Sequence, residues 1–258
     1  MHSLEEVVIE DLPSKPLERG ILRWSNNSRY ISYVKSDSDN KSAIIVVYDV
    51  SLSNKNEYVL LNIERDELIL EAKISDDGQY ALIVKYRNKQ AFTDLVLGSL
   101  TGSDIASVFE QRLSGGGDNY DFMNDDQIVF IGQDSELILF DRRNESSTIL
   151  LEQIDTFALS RDRKSIAYSK KWDTVYVAAV QGNRVMNMKP IYKGVIVFSC
   201  RMFWSADNKK LLIGGNEAYI EPSLRDWNKD AFLTPIPMES PFTTAMDMNN
   251  SPLIIEMK

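Results

Sequence analysis

Ile74-Ser75-Asp76-Asp77-Gly78-Gln79-Tyr80 is the stretch whose reading decides the fold. An apolar residue precedes a short polar turn, and residues 80–84 behind it are strand formers. Ser and Asp side chains bond nearby backbone amides and Gly accepts a positive φ, so this composition specifies a tight turn between antiparallel strands. Five other segments share the form: residues 24–29, 123–126, 159–164, 204–209 and 248–251, each followed by a β-rich run. Beginning at positions 24, 74, 123, 159, 204 and 248, successive copies lie 50, 49, 36, 45 and 44 residues apart.

A repeat of about 40–50 residues, each a small sheet that cannot bury its own faces, is the signature of propeller blades. The residue before each turn (Trp24, Ile74, Met123, Leu159, Trp204, Met248) ends an inner strand and is expected to pack between blades. Third strands are expected at 43–50, 93–97, 136–140, 174–180 and 217–220, and weaker fourth strands at 58–62, 147–151 and 188–192. Residues 104–113 read as the one short helical turn. The chain therefore reads as all-β, a single six-bladed β-propeller over residues 1–258, with blade turns near 25–28, 75–78, 124–126, 160–163, 205–208 and 249–251. Residues 5–12 resemble the third strand of the first repeat, while the sixth repeat holds only 243–248 and 253–257. Strands from both termini are thus expected to complete the last blade and hide its edges. A β-sandwich with chance likeness among its turns is the competing reading.

At these turns the chain resembles the TolB-like, WD40-like (PD40) propeller repeats, whose pattern is close to apolar–Ser–Pro–Asp–Gly. Residues 74–80 match best, and Trp24-Ser25 and Trp204-Ser205 carry the Trp-Ser form. No copy has the Pro and only one keeps the Gly. The resemblance implies protein–protein contact through a ring face or the central channel, often outside the cytoplasm.

Composition removes many chemistries. His2 is the only histidine and Cys200 the only cysteine, which excludes an intrachain disulfide, CxxC sites, His-ligated zinc and His-based catalytic triads. With 29 Lys+Arg against 38 Asp+Glu the net charge is −9, so nucleic acid is not an expected partner. Insertion into a membrane is not expected either, since no apolar run approaches 18 residues. The opening residues show no signal peptide, and the compartment is left open. Phosphate-loop and nucleophile-elbow motifs are lacking, and neither a metal nor a cofactor is expected.

Each remaining constellation is weighed against a plainer role. Asp37, Asp39 and Asn40 lack the Gly and Glu of a calcium loop and read as a solvated hairpin loop. Asp118, Asp121, Asp125 and Asp126 would hold a cation only if folded together. Arg161, Arg163 and Lys164 fall at one rim and Lys170 and Lys171 at the other. Cys200 and Tyr33, Tyr48, Tyr80 and Tyr168 read as packing; Trp172 and Trp227, in polar loops, read as packing or as anchors. The chain is accordingly expected to be a non-catalytic binding or scaffolding module for a protein partner, with a small molecule or glycan as further ligand classes. The expected surface is the rim formed by loops joining second to third strands together with those joining one blade to the next, carrying Trp172, Lys170, Lys171, Arg87, Lys89, Asp37, Asp39 and Asp118. The alternative is a carbohydrate-active enzyme with two channel-mouth carboxylates roughly 5–9 Å apart.

Overall fold

The computed structural model describes residues 22–37, 42–60, 63–64, 66–90, 92–114, 119–193, 202–213 and 253–257. They form five antiparallel sheets. The first contains β1 (Arg23–Trp24), β2 (Tyr30–Asp37), β3 (Ser42–Asp49) and β4 (Asn54–Leu60); the second, β5 (Glu67–Ile74), β6 (Tyr80–Arg87), β7 (Phe92–Thr101) and β8 (Asp104–Arg112). The third holds β9 (Tyr120–Phe122), β10 (Gln127–Ile131), β11 (Leu137–Asp141) and β12 (Ser146–Leu151). The fourth holds β13 (Thr156–Leu159), β14 (Ser165–Lys170), β15 (Thr174–Gln181) and β16 (Arg184–Lys193), and the fifth β17 (Met202–Trp204), β18 (Lys210–Ile213) and β19 (Leu253–Glu256). Consecutive strands pair in each four-stranded sheet. A single parallel bridge, Val59 to Asp104, joins the outer edges of the first two into an eight-stranded sheet.

The middle strands read as nearly continuous apolar runs because both their faces are buried, and period-two alternation sends successive side chains to opposite neighbours. On β6, Ala81 and Ile83 pack toward the first sheet while Leu82 and Val84 pack toward the third. On β10, Ile128 and Phe130 face the second sheet, and Val129 and Ile131 the fourth. On β14, Ile166 and Tyr168 face the third and Ala167 the fifth. Four hydrophobic clusters thus separate five sheets stacked face to face, which is blade packing rather than a two-layer sandwich. The outer strands β4, β8, β12 and β16 are largely exposed.

Three expectations need correction. Residues 104–112 form strand β8, not a helical turn. A bulge where β7 shifts register between Leu97 and Gly98 leaves Val108 unpaired, and the parity change sends Ile105 to the first–second cluster and Phe109 to the second–third. That four-residue spacing of apolar side chains is what imitates a helix. Residues 253–256, expected in a sixth blade, pair with β18 from Lys210–Glu256 to Ile213–Leu253, as the third strand of the fifth sheet. Trp24, expected between blades, is 52% exposed. Residues 5–12, 217–220, 243–251, Cys200 and Trp227 lie outside the described residues.

Candidate functional site

The repeated turns form one face, and one device builds four of them. The serine hydroxyl donates to the side-chain oxygen two residues on: Ser25 to Asn27 (2.7 Å), Ser75 to Asp77 (2.6 Å), Ser160 to Asp162 (2.7 Å) and Ser205 to Asp207 (2.6 Å). The same hydroxyl oxygen accepts the backbone N–H five residues on, from Tyr30, Tyr80, Ser165 and Lys210, each at 2.9 Å. The fourth residue of each turn is left-handed: Ser28 (φ 63°), Gly78 (78°), Arg163 (61°) and Asn208 (58°). The 123–126 copy is one residue shorter, closing with Met123 N–H to the Gln127 carbonyl at 2.8 Å.

Neighbouring turns are tied together. Asn27 donates its backbone N–H to Asp76 (2.8 Å) and its side-chain amide to the Asp76 carbonyl (2.9 Å). Asp77 N–H reaches Asp125 at 3.1 Å and Arg161 N–H reaches Asn208 at 2.8 Å. These bonds tie adjacent blades together at this face.

The inner strands enclose a central channel of about 590 Å³ to which β1, β5, β9, β13 and β17 all contribute. Its charged groups were not legible as a site. Asp121 on β9 receives Lys73 of the second blade (2.5 Å), Arg163 of the fourth (2.9 Å) and the Asn26 amide of the first (3.4 Å). Burial pushes its carboxyl up, but Lys73 and Arg163 together with hydrogen bonds outweigh burial and hold it below the usual range. Glu71, 2% exposed, takes the Arg23 Nε (2.5 Å) and the Tyr120 hydroxyl (2.5 Å). A general acid needs a carboxyl that keeps its proton near neutral pH; Asp121 is held in the opposite state. Asp118 lies outside the described residues, and Asp125 and Asp126 bond Asp77 and Arg142 rather than gathering with Asp121. Among the described residues no group of three acidic, His or Cys side chains is placed to hold a metal.

The opposite rim carries the loops singled out by sequence. Arg87 is not a free cation: it pairs with Glu67 (2.9 Å) and Asp94 (3.0 Å), beside Lys85 and Glu110. Its charge is shared with the carboxylates of the second blade. Lys89 is exposed. Asp37 ends β2 opposite Ser42, and Asp39 lies outside the described residues. Lys170 ends β14, and Lys171 and Trp172 form the hairpin tip with φ of 55° and 53°. Asp155 fixes this tip by accepting Trp172 N–H (2.7 Å) and the Ser169 hydroxyl (3.3 Å). Burial pushes the Asp155 carboxyl above its ordinary range, and those two donors only partly counter it. Lys171 is exposed; Trp172 is half-buried against the fourth–fifth cluster, so it both packs and borders the rim. Arg161, Arg163 and Lys164 do sit at the far end of β14 from Lys170 and Lys171.

No protein-family model matches the chain, and no curated protein matches it in sequence. Among solved structures it is similar to the β-propeller domain of Cps50 (Swd1) from Myceliophteria thermophila, at 11% identity and a TM-score of 0.53. The match covers 80% of this chain and 64% of that one, so this chain spans less than two thirds of its neighbour's length. The five stacked meanders and this likeness agree on one architecture: the chain is a β-propeller.

Proposed function

We propose that this propeller is a non-catalytic scaffold that binds a protein partner through the loop rim, on a six-bladed ring of the TolB-like kind. One observation carries the reading of the rim. Lys171 and Trp172, neither of them Gly, are both held left-handed and are fixed by Asp155. Two successive left-handed residues are a favoured geometry for a tight hairpin tip, and the bond to Asp155 holds this one in a single conformation. A rigid tip presenting an ammonium beside an indole is a pre-organised contact, and Lys170 and Lys89 add positive charge to the same face. An acidic or mixed partner surface fits it.

Paired affinity captures from the source cell test this. A Lys170→Glu/Lys171→Glu/Trp172→Ala variant is compared with an Asn26→Ala/Asp76→Ala/Asp207→Ala variant, both against the parent chain. The proposal expects proteins retained by the parent and the second variant to be lost from the first. Loss from the turn-face variant alone, or from neither, overturns it.

A further inference from the structure

We infer that the central channel is a binding site for a small carboxylate borne on an aliphatic or aromatic body, independent of any partner on the loop rim. The wall of the channel combines two features that the ring itself does not need. The first is uncovered apolar surface: Trp24 and Phe203 are each 52% exposed and stand in the same lining as the half-buried Trp204. Trp204 is fixed, its Nε1–H donating to the Ala158 carbonyl at 3.0 Å.

The second is an excess of positive charge. Arg23, Lys73, Arg161 and Arg163 line the channel, and Asp121 is the only carboxylate among the described lining residues. Glu71 answers Arg23 from behind, and Asp121 is shared between Lys73 and Arg163. Among the described residues one positive charge therefore remains on the Asp121 cluster and another on Arg161. The Arg161 guanidinium has no carboxylate partner among the described residues; its contact is a 3.4 Å hydrogen bond to the Ser28 hydroxyl. In a chain of net charge −9 this is a local reversal of sign, not a general attraction for anions. A cavity of a few hundred Å³, mostly apolar with a few convergent polar groups, is the usual form of a small-ligand site. A guanidinium in the same lining as indole and phenyl groups defines the ligand: a carboxylate for Arg161, joined to a flat or branched apolar group.

Calorimetric titration of the full chain with 4-phenylbutyrate tests the site, with 4-phenylbutyramide as the uncharged control. Saturable binding is expected at about 0.1–1 mM, the range for a ligand of roughly a dozen heavy atoms. Arg161→Gln is expected to weaken it at least tenfold and Phe203→Ser severalfold, with melting temperatures close to the parent's. The amide is expected to bind at least tenfold more weakly. Absence of saturable binding, equal affinity for the amide, or an unchanged constant in a folded Arg161→Gln variant overturns the inference. So does tenfold tighter binding of the capped dipeptide acetyl-Phe-Asp-amide, which would make the occupant a protein segment.

Discussion

Asp121 is the point at which four blades meet, and replacing it by Asn is the sharpest test of how the ring is held. The substitution keeps shape and a hydrogen-bond acceptor but removes the charge that Lys73 and Arg163 share. Those side chains are 17% and 16% exposed, Asp121 itself 16%, so neither cation can turn fully to water. Removing one partner from a mostly buried ion pair costs about 3–5 kcal/mol, because the charge left behind keeps its desolvation penalty. The residual exposure places Asp121→Asn at the lower end, about 3 kcal/mol, before any share for Asn26. For a chain of this size each kcal/mol moves the melting temperature by roughly 2–4 °C, so a fall of about 6–12 °C is expected in calorimetry. The same account requires rescue. Adding Lys73→Met and Arg163→Met removes the stranded cations, and the triple variant is expected to melt above Asp121→Asn alone. A fall under 2 °C, or no rescue, would refute the hub.

Three further outcomes follow from particular contacts. Acrylamide is expected to quench Trp24 readily and Trp204 weakly; Trp24→Ala is expected to cost under about 1 kcal/mol and Trp204→Ala about 2–4 kcal/mol, measured by urea unfolding. Asp49 is held at about 2, first by the Arg29 guanidinium and then, against burial, by Ser51 and Leu52. Since an unfolded Asp titrates near 4, roughly, its contribution is complete above that pH and is lost as pH falls toward 2; Asp49→Asn is expected to flatten this acid limb of the stability profile, and an unchanged limb would count against the assignment. Gly78→Ala would set a Cβ 2.5 Å from the Tyr30 hydroxyl at a φ of +78°, whereas Gly102 and Gly182 face open space; it is expected to cost about 2–4 kcal/mol against about 1 at either of the others.

What was legible in the chain is what is local. The turn device uses groups within five residues of one another, so Ser75, Asp77 and Gly78 announce it in sequence, and the copies at 24, 74, 123, 159 and 204 each fall in one of the five described sheets. The both-sides-buried middle strands are equally local, since alternation along 81–84 needs no partner to be seen. The channel is not local. Asp121 meets Lys73 48 residues away, Arg163 42 away and Asn26 95 away, and nothing in its own neighbourhood distinguishes it from the loop acids beside it. The ion pairs of Arg87 with Glu67 and Glu110 are equally hidden from the sequence, because both partners lie on other strands. Residues 104–112 misled because a single bulge converts a strand's parity into helix-like spacing. Residues 253–256 carry strand composition, but the choice of partner belongs to the sheet edge at β18 and not to the strand itself.

The rim is tested most directly by placing a photo-reactive residue on it. A chain carrying p-benzoylphenylalanine in place of Lys171 is irradiated in its source cell beside one carrying it in place of Asp76. The account predicts a discrete cross-linked species of higher mass from position 171, diminished by Lys170→Glu, and none from position 76. A product from position 76 with none from position 171 would contradict it.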